Sequence, residues 1–236
     1  LSNQNIVKNP DTNHDKASVS RAGSNNMSPK KKYLYEIIQI GAVKLDGNLK
    51  TTDTFNRLIK PSVYACISPH ITELTGITLS MLQNEKEFRN VYDHFIKFIG
   101  DEEAILVVWG IIDILTLYKN IKYHNLDENL LPNKYINIQP ITSVHLGQSK
   151  KRLLNLKFCA DALGIEINTP FHDALNDALY TAEIFKKVFN KSIEPKLYNP
   201  SKLVQQSSRP VKRVLDFPKL IAQFNKMYAR EMTAEE

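Results

Sequence analysis

"AILVVWG", residues 104–110, is a continuous apolar run closed by a glycine. A strand with one solvated face alternates apolar and polar residues, whereas a strand buried on both faces need not. The run therefore predicts a strand covered by helices on both sides, as in the parallel sheets of α/β domains. Its surroundings agree. A helical pattern starts close after Gly110 and runs to about Tyr123. "KYINIQ" (134–139) reads as another short strand and "LLNLKFCADALG" (153–164) as a helix ending at Gly164. Upstream, "YEIIQIGAVKLD" (35–46) and "KTTDTFNRLIKP" (50–61) flank the turn residues "DGN", which predicts an antiparallel hairpin. Between the hairpin and the buried strand, "SPHITELTGIT" (68–78) reads as a short helix capped by Ser68 and running into a glycine turn. "SMLQNEKEFRNVYDHFIKFIG" (80–100) reads as one helix closed by Gly100. A hairpin followed by alternating strands and helices predicts a mixed α/β sheet with helices on both sides.

Composition sets outer limits. The chain has 236 residues, of which 42% are hydrophobic, enough for one domain with a core plus tails. No apolar run approaches the roughly 18 residues of a membrane span, and no signal-peptide pattern is visible. With two cysteines in ordinary contexts, Cys66 and Cys159, the expected setting is a reduced, cytoplasmic one without membrane contact. Residues 1–32 are polar and without periodicity, and read as disordered or as an insertion loop. The central domain is expected over 33–189. A basic extension covers 190–236, with a helix predicted near 218–232. The net charge is +6, and residues 186–213 carry eight lysines and arginines against the single acid Glu194. Such a stretch suits a polyanion, or forms a solvated linker.

"FHDALNDALYTAEIF" (171–185) then raises a chemical question. On a 3.6-residue wheel Ala174, Ala178, Thr181, Phe185 and Val188 form one core-facing stripe. Asp177 projects into that stripe, and His172 stands at the helix entry. A buried carboxylate needs a cation or several donors, so a salt bridge and a hard divalent metal both answer. A half-exposed histidine beside it can take a proton from water at neutral pH, or can be a loop residue with no task. Asp113 lies just past the buried strand, where ligands gather in open α/β sheets. It also suits the first turn of a helix, where the macrodipole favours an acid.

Taken in order, these segments resemble the DEDDh exonucleases, the 3′-to-5′ exonucleases that include ribonuclease T, the proofreading subunit of bacterial DNA polymerase III and sporulation-inhibitor-like bacterial exonucleases. "FHDALNDALYTAEIF" is similar to the third motif of that family, and "VVWGIIDILTL" to its second. "ISPHITELTGIT" resembles its nucleotide-contacting loop, and "YEIIQIGAV" the strand that follows its first motif. The resemblance covers roughly residues 33–189. It implies a ribonuclease H-like mixed sheet with flanking helices. It also implies hydrolysis of phosphodiester bonds in single-stranded RNA or DNA. His172 would be the general base, Asp113 and Asp177 metal ligands, and Thr75 and Gly76 contacts to the terminal nucleotide. The cofactors implied are two divalent ions, Mg²⁺ or Mn²⁺, about 4 Å apart, stabilising the attacking and leaving oxygens.

One part of the pattern departs from the family. Its first motif, Asp-x-Glu, should lie on a strand before the hairpin. The only aspartates in residues 1–32 are Asp11 and Asp15, with no glutamate and no apolar strand around them. That strand would be the central one of the sheet. The expectation is therefore that the gene continues upstream of Leu1 and that the 236 residues alone are nearly inactive. The closing "TAEE" (233–236), a capping box with no helix behind it, carries the same expectation for the other end. The alternative is a catalytically inactive nucleic-acid-binding or regulatory member of the same fold.

Overall fold

The computed structural model describes residues 6–7 (backbone only), 35–100 and 103–199. The polar segment 8–34 and residues 200–236, which hold most of the basic extension and the helix expected near 218–232, lie outside them. The chain divides into the units Leu1–Tyr198 and Asn199–Glu236.

The predicted hairpin is present. β1 (Ile6–Val7) pairs antiparallel with β2 (Glu36–Ile37), and β3 (Gln39–Leu45) pairs antiparallel with β4 (Thr51–Leu58). The turn between β3 and β4 is held by Asp46, whose carboxylate accepts the N–H groups of Asn48 and Lys50. α1 (Pro69–Thr75) ends at Gly76, which takes the left-handed φ of 72° that a helix C-terminus favours. The single helix expected over 80–100 is two helices, α2 (Leu79–Leu82) and α3 (Phe88–Ile99). The break has a cause in the sheet. Lys60 forms a parallel bridge with Glu87 and donates its N–H to the carbonyl of Lys86, which pulls the intervening turn into extended pairing.

β5 (Leu106–Val108) follows, shorter than the apolar run that announced it, and leads into α4 (Ile112–Tyr123). β6 (Lys134–Asn137) pairs parallel with β5, and β7 (Lys196–Leu197) antiparallel with β6. β7 falls at the start of the segment read as a basic extension; two exposed residues carry no periodicity from which to predict a strand. α5 (Gln139–His145), α6 (Leu156–Ala162) and α7 (Ala174–Val188) complete the described fold.

Helices cover both faces. On one, Phe88, Val91, Tyr92 and Phe95 of α3 and Ile114, Leu117 and Ile121 of α4 pack with Ile40 and Ala42 of β3 and Val108 of β5. On the other, Tyr180, Ile184, Phe185 and Val188 of α7 pack with Leu156 and Cys159 of α6, Trp109 and Ile136. β5 contributes to both faces, which is why its sequence does not alternate. The strands form three separate pairings, β1–β2, β3–β4 and β5–β6–β7. Among the described residues no strand joins β3 to β5.

α7 comes very close to β3. A methyl group on Gly41 would sit 2.1 Å from the carbonyl carbon of Ala174 and 2.2 Å from the nitrogen of Leu175. Only a residue without Cβ permits that approach. Gly41→Ala is expected to push α7 off the sheet and to lower the unfolding free energy by about 3 kcal/mol. Gly47→Ala, where the added methyl meets nothing, should change it by less than about 0.5 kcal/mol. Denaturant titrations of the two variants check this, and equal effects would show that the close approach is not what fixes α7.

Candidate active site

The site is built at the amino-terminal end of α7. Asp173 is its N-cap, accepting the N–H groups of Leu175 and Asn176 on Oδ1. Its other oxygen, Oδ2, accepts a 2.7 Å hydrogen bond from Nε2 of Gln39, and Oε1 of Gln39 accepts the N–H of Ala174. Gln39 thus ties the first turn of α7 to β3 from both ends of its amide, and Asn56 of β4 accepts a further bond from Nε2.

His172 precedes the cap with φ at 72°, left-handed backbone that a non-glycine residue adopts at a cost of about 1–3 kcal/mol. In that conformation its backbone N–H reaches Oδ1 of Asp177 at 3.3 Å. The histidine and the aspartate that the sequence reading paired are therefore linked through the main chain, one helical turn apart.

Asp177 is 1% exposed and sits in the apolar stripe, as expected. It has no ion pair with lysine or arginine among the described residues. Its Oδ2 is buried with no hydrogen-bond partner among them. Burial pushes its pKa from 3.8 up to about 6, opposed by the His172 N–H and reinforced by the charge of Asp173. An orphaned carboxylate oxygen of this kind suits a hard cation.

Asp113 lies in the first turn of α4, 5% exposed. The turn that delivers it is fixed by Asn137, whose Oδ1 accepts the N–H of Gly110 and of Gln139. Gly110 itself takes φ 90°. Thr75 and Gly76 form the C-terminus of α1. The Thr75 hydroxyl donates to the carbonyl of Ile71 and accepts the N–H of Ile77, which locks the turn. The loop before α1 is held from β2: the buried Glu36 carboxylate accepts the N–H groups of Ser62, Val63 and Tyr64. The described residues gather no group of three or more His, Cys, Asp and Glu around one point.

Residues 24–185 match the family model described as "Exonuclease". The chain belongs to the exonuclease family. DNA polymerase III subunit epsilon of Aquifex aeolicus is 30% identical over 159 residues, covering 66% of this chain and 73% of that one. The PolC-type DNA polymerase III of Clostridium perfringens is 35% identical over 161 residues, 67% of this chain but only 10% of that polymerase. The exonuclease fold is also that of solved structures. The nuclease domain of 3′hExo, a DEDDh family member bound to rAMP, aligns with TM-score 0.61 at 22% identity, covering 76% of this chain and 92% of that one. S. pombe Pop2p, in a form with Mg²⁺ and Mn²⁺ bound, aligns with TM-score 0.55 at 23% identity, covering 70% and 75%. The chain thus shares the mixed α/β fold of these exonuclease structures, as the motifs implied. Among the described residues no helix is long and apolar enough to cross a membrane.

Gln39, Asp173 and Glu36 carry no motif that singles them out in the sequence. A signal was available for two of them: "EIIQIG" places two polar residues at strand positions that are otherwise apolar and buried.

Because Asp177 holds its proton more tightly folded than unfolded, it costs stability once it ionises. The loss develops as the pH rises from about 3.8 to about 6 and amounts to about 3 kcal/mol. Asp177→Asn removes it. The variant should be more stable than the parent at pH 7 by up to that amount, and the difference should vanish below pH 4. Urea unfolding across this range measures it, and a difference independent of pH would mean that the carboxylate is not ionising in the folded protein.

Proposed function

We propose that this chain is the catalytic part of a metal-dependent exonuclease that removes nucleotides from the 3′ end of single-stranded RNA or DNA. The observation that supports the reading most strongly is the buried Asp177 carboxylate at the head of α7, whose Oδ1 accepts the His172 N–H and whose Oδ2 has no hydrogen-bond partner among the described residues. A carboxylate held dry and unneutralised is a poor structural element and a good cation ligand. Asp113, delivered by the turn after β5, is the second ligand in this reading.

When bound, two Mg²⁺ or Mn²⁺ ions would supply charge stabilisation at the attacking and leaving oxygens of the phosphodiester. The protein's own part is orientation and proton transfer. The imidazole of His172 takes the proton of the attacking water, for which its half-buried position beside the carboxylate leaves it accessible. Thr75 and Gly76 contact the terminal nucleotide, on a helix end that the Thr75 hydroxyl ties to Ile71 and Ile77. The alternative is a nucleic-acid-binding or regulatory member of the same fold without turnover.

The two are separated by assay. A 5′-labelled single strand incubated with the protein and Mn²⁺ should shorten one nucleotide at a time and stop on addition of chelator; cutting inside a circular substrate would contradict the proposal. Asp177→Asn should abolish turnover and weaken Mn²⁺ binding. His172→Ala should leave Mn²⁺ binding intact and slow turnover by about 10²–10⁴-fold. Equal loss of metal affinity in both variants would remove the histidine from the base role.

The basic stretch 186–213 gives a separate expectation. Each basic side chain that meets a phosphate steepens the slope of log affinity against log salt by about 0.7 on a single strand. Neutralising Lys202, Arg209, Lys212 and Arg213 together should therefore flatten the slope by up to about three units and leave turnover at saturation unchanged. An unaltered slope would identify the stretch as a solvated linker.

A further inference from the structure

The chain reaches His172 through an irregular connection. α6 ends at Ala162 and α7 begins at Ala174, and the residues between them form neither helix nor strand. A segment without a ladder or helix of its own keeps its backbone angles only where groups outside it hold them. His172 needs such holding, because its left-handed backbone relaxes into the ordinary regions wherever the flanking chain can turn. Downstream, the Asp173 cap and its bond from Gln39 fix the chain. Upstream, the fixing group comes from α7 itself.

Tyr180 lies in the second turn of α7 and is 5% exposed. Helical side chains lean toward the N-terminus of their helix, so the phenol is carried back toward the connection. Its ring stacks on Phe171 with centroids 4.6 Å apart. Its hydroxyl donates to the Thr169 carbonyl at 2.7 Å and accepts the Thr169 N–H at 3.0 Å. The Thr169 hydroxyl also lies 3.0 Å away. A phenol has one proton to give and the carbonyl takes it, so the threonine hydroxyl is the donor in this third bond. A buried tyrosine needs a single partner for its hydroxyl. Three bonds to one exposed residue exceed that need. Asn176, on the turn before, donates from Nδ2 to the carbonyl of Pro170 at 2.9 Å. Proline has no N–H, so this carbonyl is its main-chain handle. Every residue from Thr169 to Asp173 is thus tied to the first two turns of α7.

We propose that Tyr180, assisted by Asn176, is a positioning residue for His172. By holding Thr169 it pins the far end of a segment whose near end is pinned at Asp173. The backbone of His172 then cannot leave the left-handed region, and its N–H stays on Asp177. Tyr180 touches neither substrate nor reacting atoms; it acts through the histidine. The proposal rests on the reading of His172 as the base.

Tyr180→Phe keeps the ring and its stacking on Phe171 and removes the hydroxyl. The Thr169 groups that it releases are exposed and pass to water. Amide exchange, resolved by residue, should accelerate at Thr169 and His172 by at least about tenfold and stay unchanged at Ile184 and Phe185. On a single-stranded substrate with Mn²⁺, kcat should fall by about 10–100-fold. KM and Mn²⁺ affinity should hold, because the base is displaced and the carboxylates are not. In a His172→Ala background the same substitution should cost no further kcat, since no imidazole is left to misplace. A tyrosine acting through stability alone would lower turnover in both backgrounds. Asn176→Ala should repeat the pattern at smaller size, and it decides the matter should Tyr180→Phe not fold. Unchanged exchange at His172, or equal loss of kcat in the two backgrounds, overturns the proposal. If the parent shows no turnover, or His172→Ala leaves turnover unchanged, it is the base reading that fails, and exchange at His172 alone decides the positioning.

Discussion

The contact between β3 and the head of α7 is the constraint on which the site depends. Gly41 lets the helix backbone approach to a distance that no side chain would allow. Gln39, two residues earlier on the same face of the strand, then bonds both the cap carboxylate of Asp173 and the N–H of Ala174. With the first turn held there, His172 has little freedom: it must leave the helix axis through left-handed backbone, and its N–H falls on Asp177. A glycine, a glutamine and a cap residue, none of them reactive, thus set the distance between the histidine and the carboxylate.

The other half of the site rests on a different part of the sheet. Asp113 is carried by the turn after β5, and β5 belongs to a different pairing from β3. Residues of both strands line an apolar cavity. The helices bridge it, since α3 and α4 share a core with residues of both half-sheets, but packing is non-directional and tolerates sliding where hydrogen-bonded register does not.

Much of this was legible in the amino-acid order, for reasons particular to each element. The apolar run at 104–110 and the stripe of α7 were readable because their burial patterns differ: a doubly covered strand is apolar throughout, and a one-sided helix repeats at 3.6. Asp177 stood out because it broke that repeat. The break between α2 and α3 was not readable, since it depends on Lys60 bonding Lys86, a partner twenty-six residues away. β7 was hidden because two exposed residues pair through main-chain groups that every sequence possesses. The roles of Gln39 and Asp173 escaped for the same reason: each is ordinary by itself, and only the fold brings residues 134 positions apart into one hydrogen bond.

Asp177 joins stability to chemistry. A carboxylate with one oxygen on a backbone N–H and the other without a partner among the described residues favours its neutral form, and burial is the largest cause. A core selected for stability alone would place asparagine or an apolar residue there. The arrangement makes sense if the missing partner is a cation, because the free energy withheld from folding is then returned as affinity and the unneutralised charge is what the ion binds. The cost also explains the rigidity around it. A strained, charged helix entry persists only where its surroundings over-determine it. The Gly41 approach, the Gln39 clamp and the Asp173 cap are three independent restraints converging on the same turn.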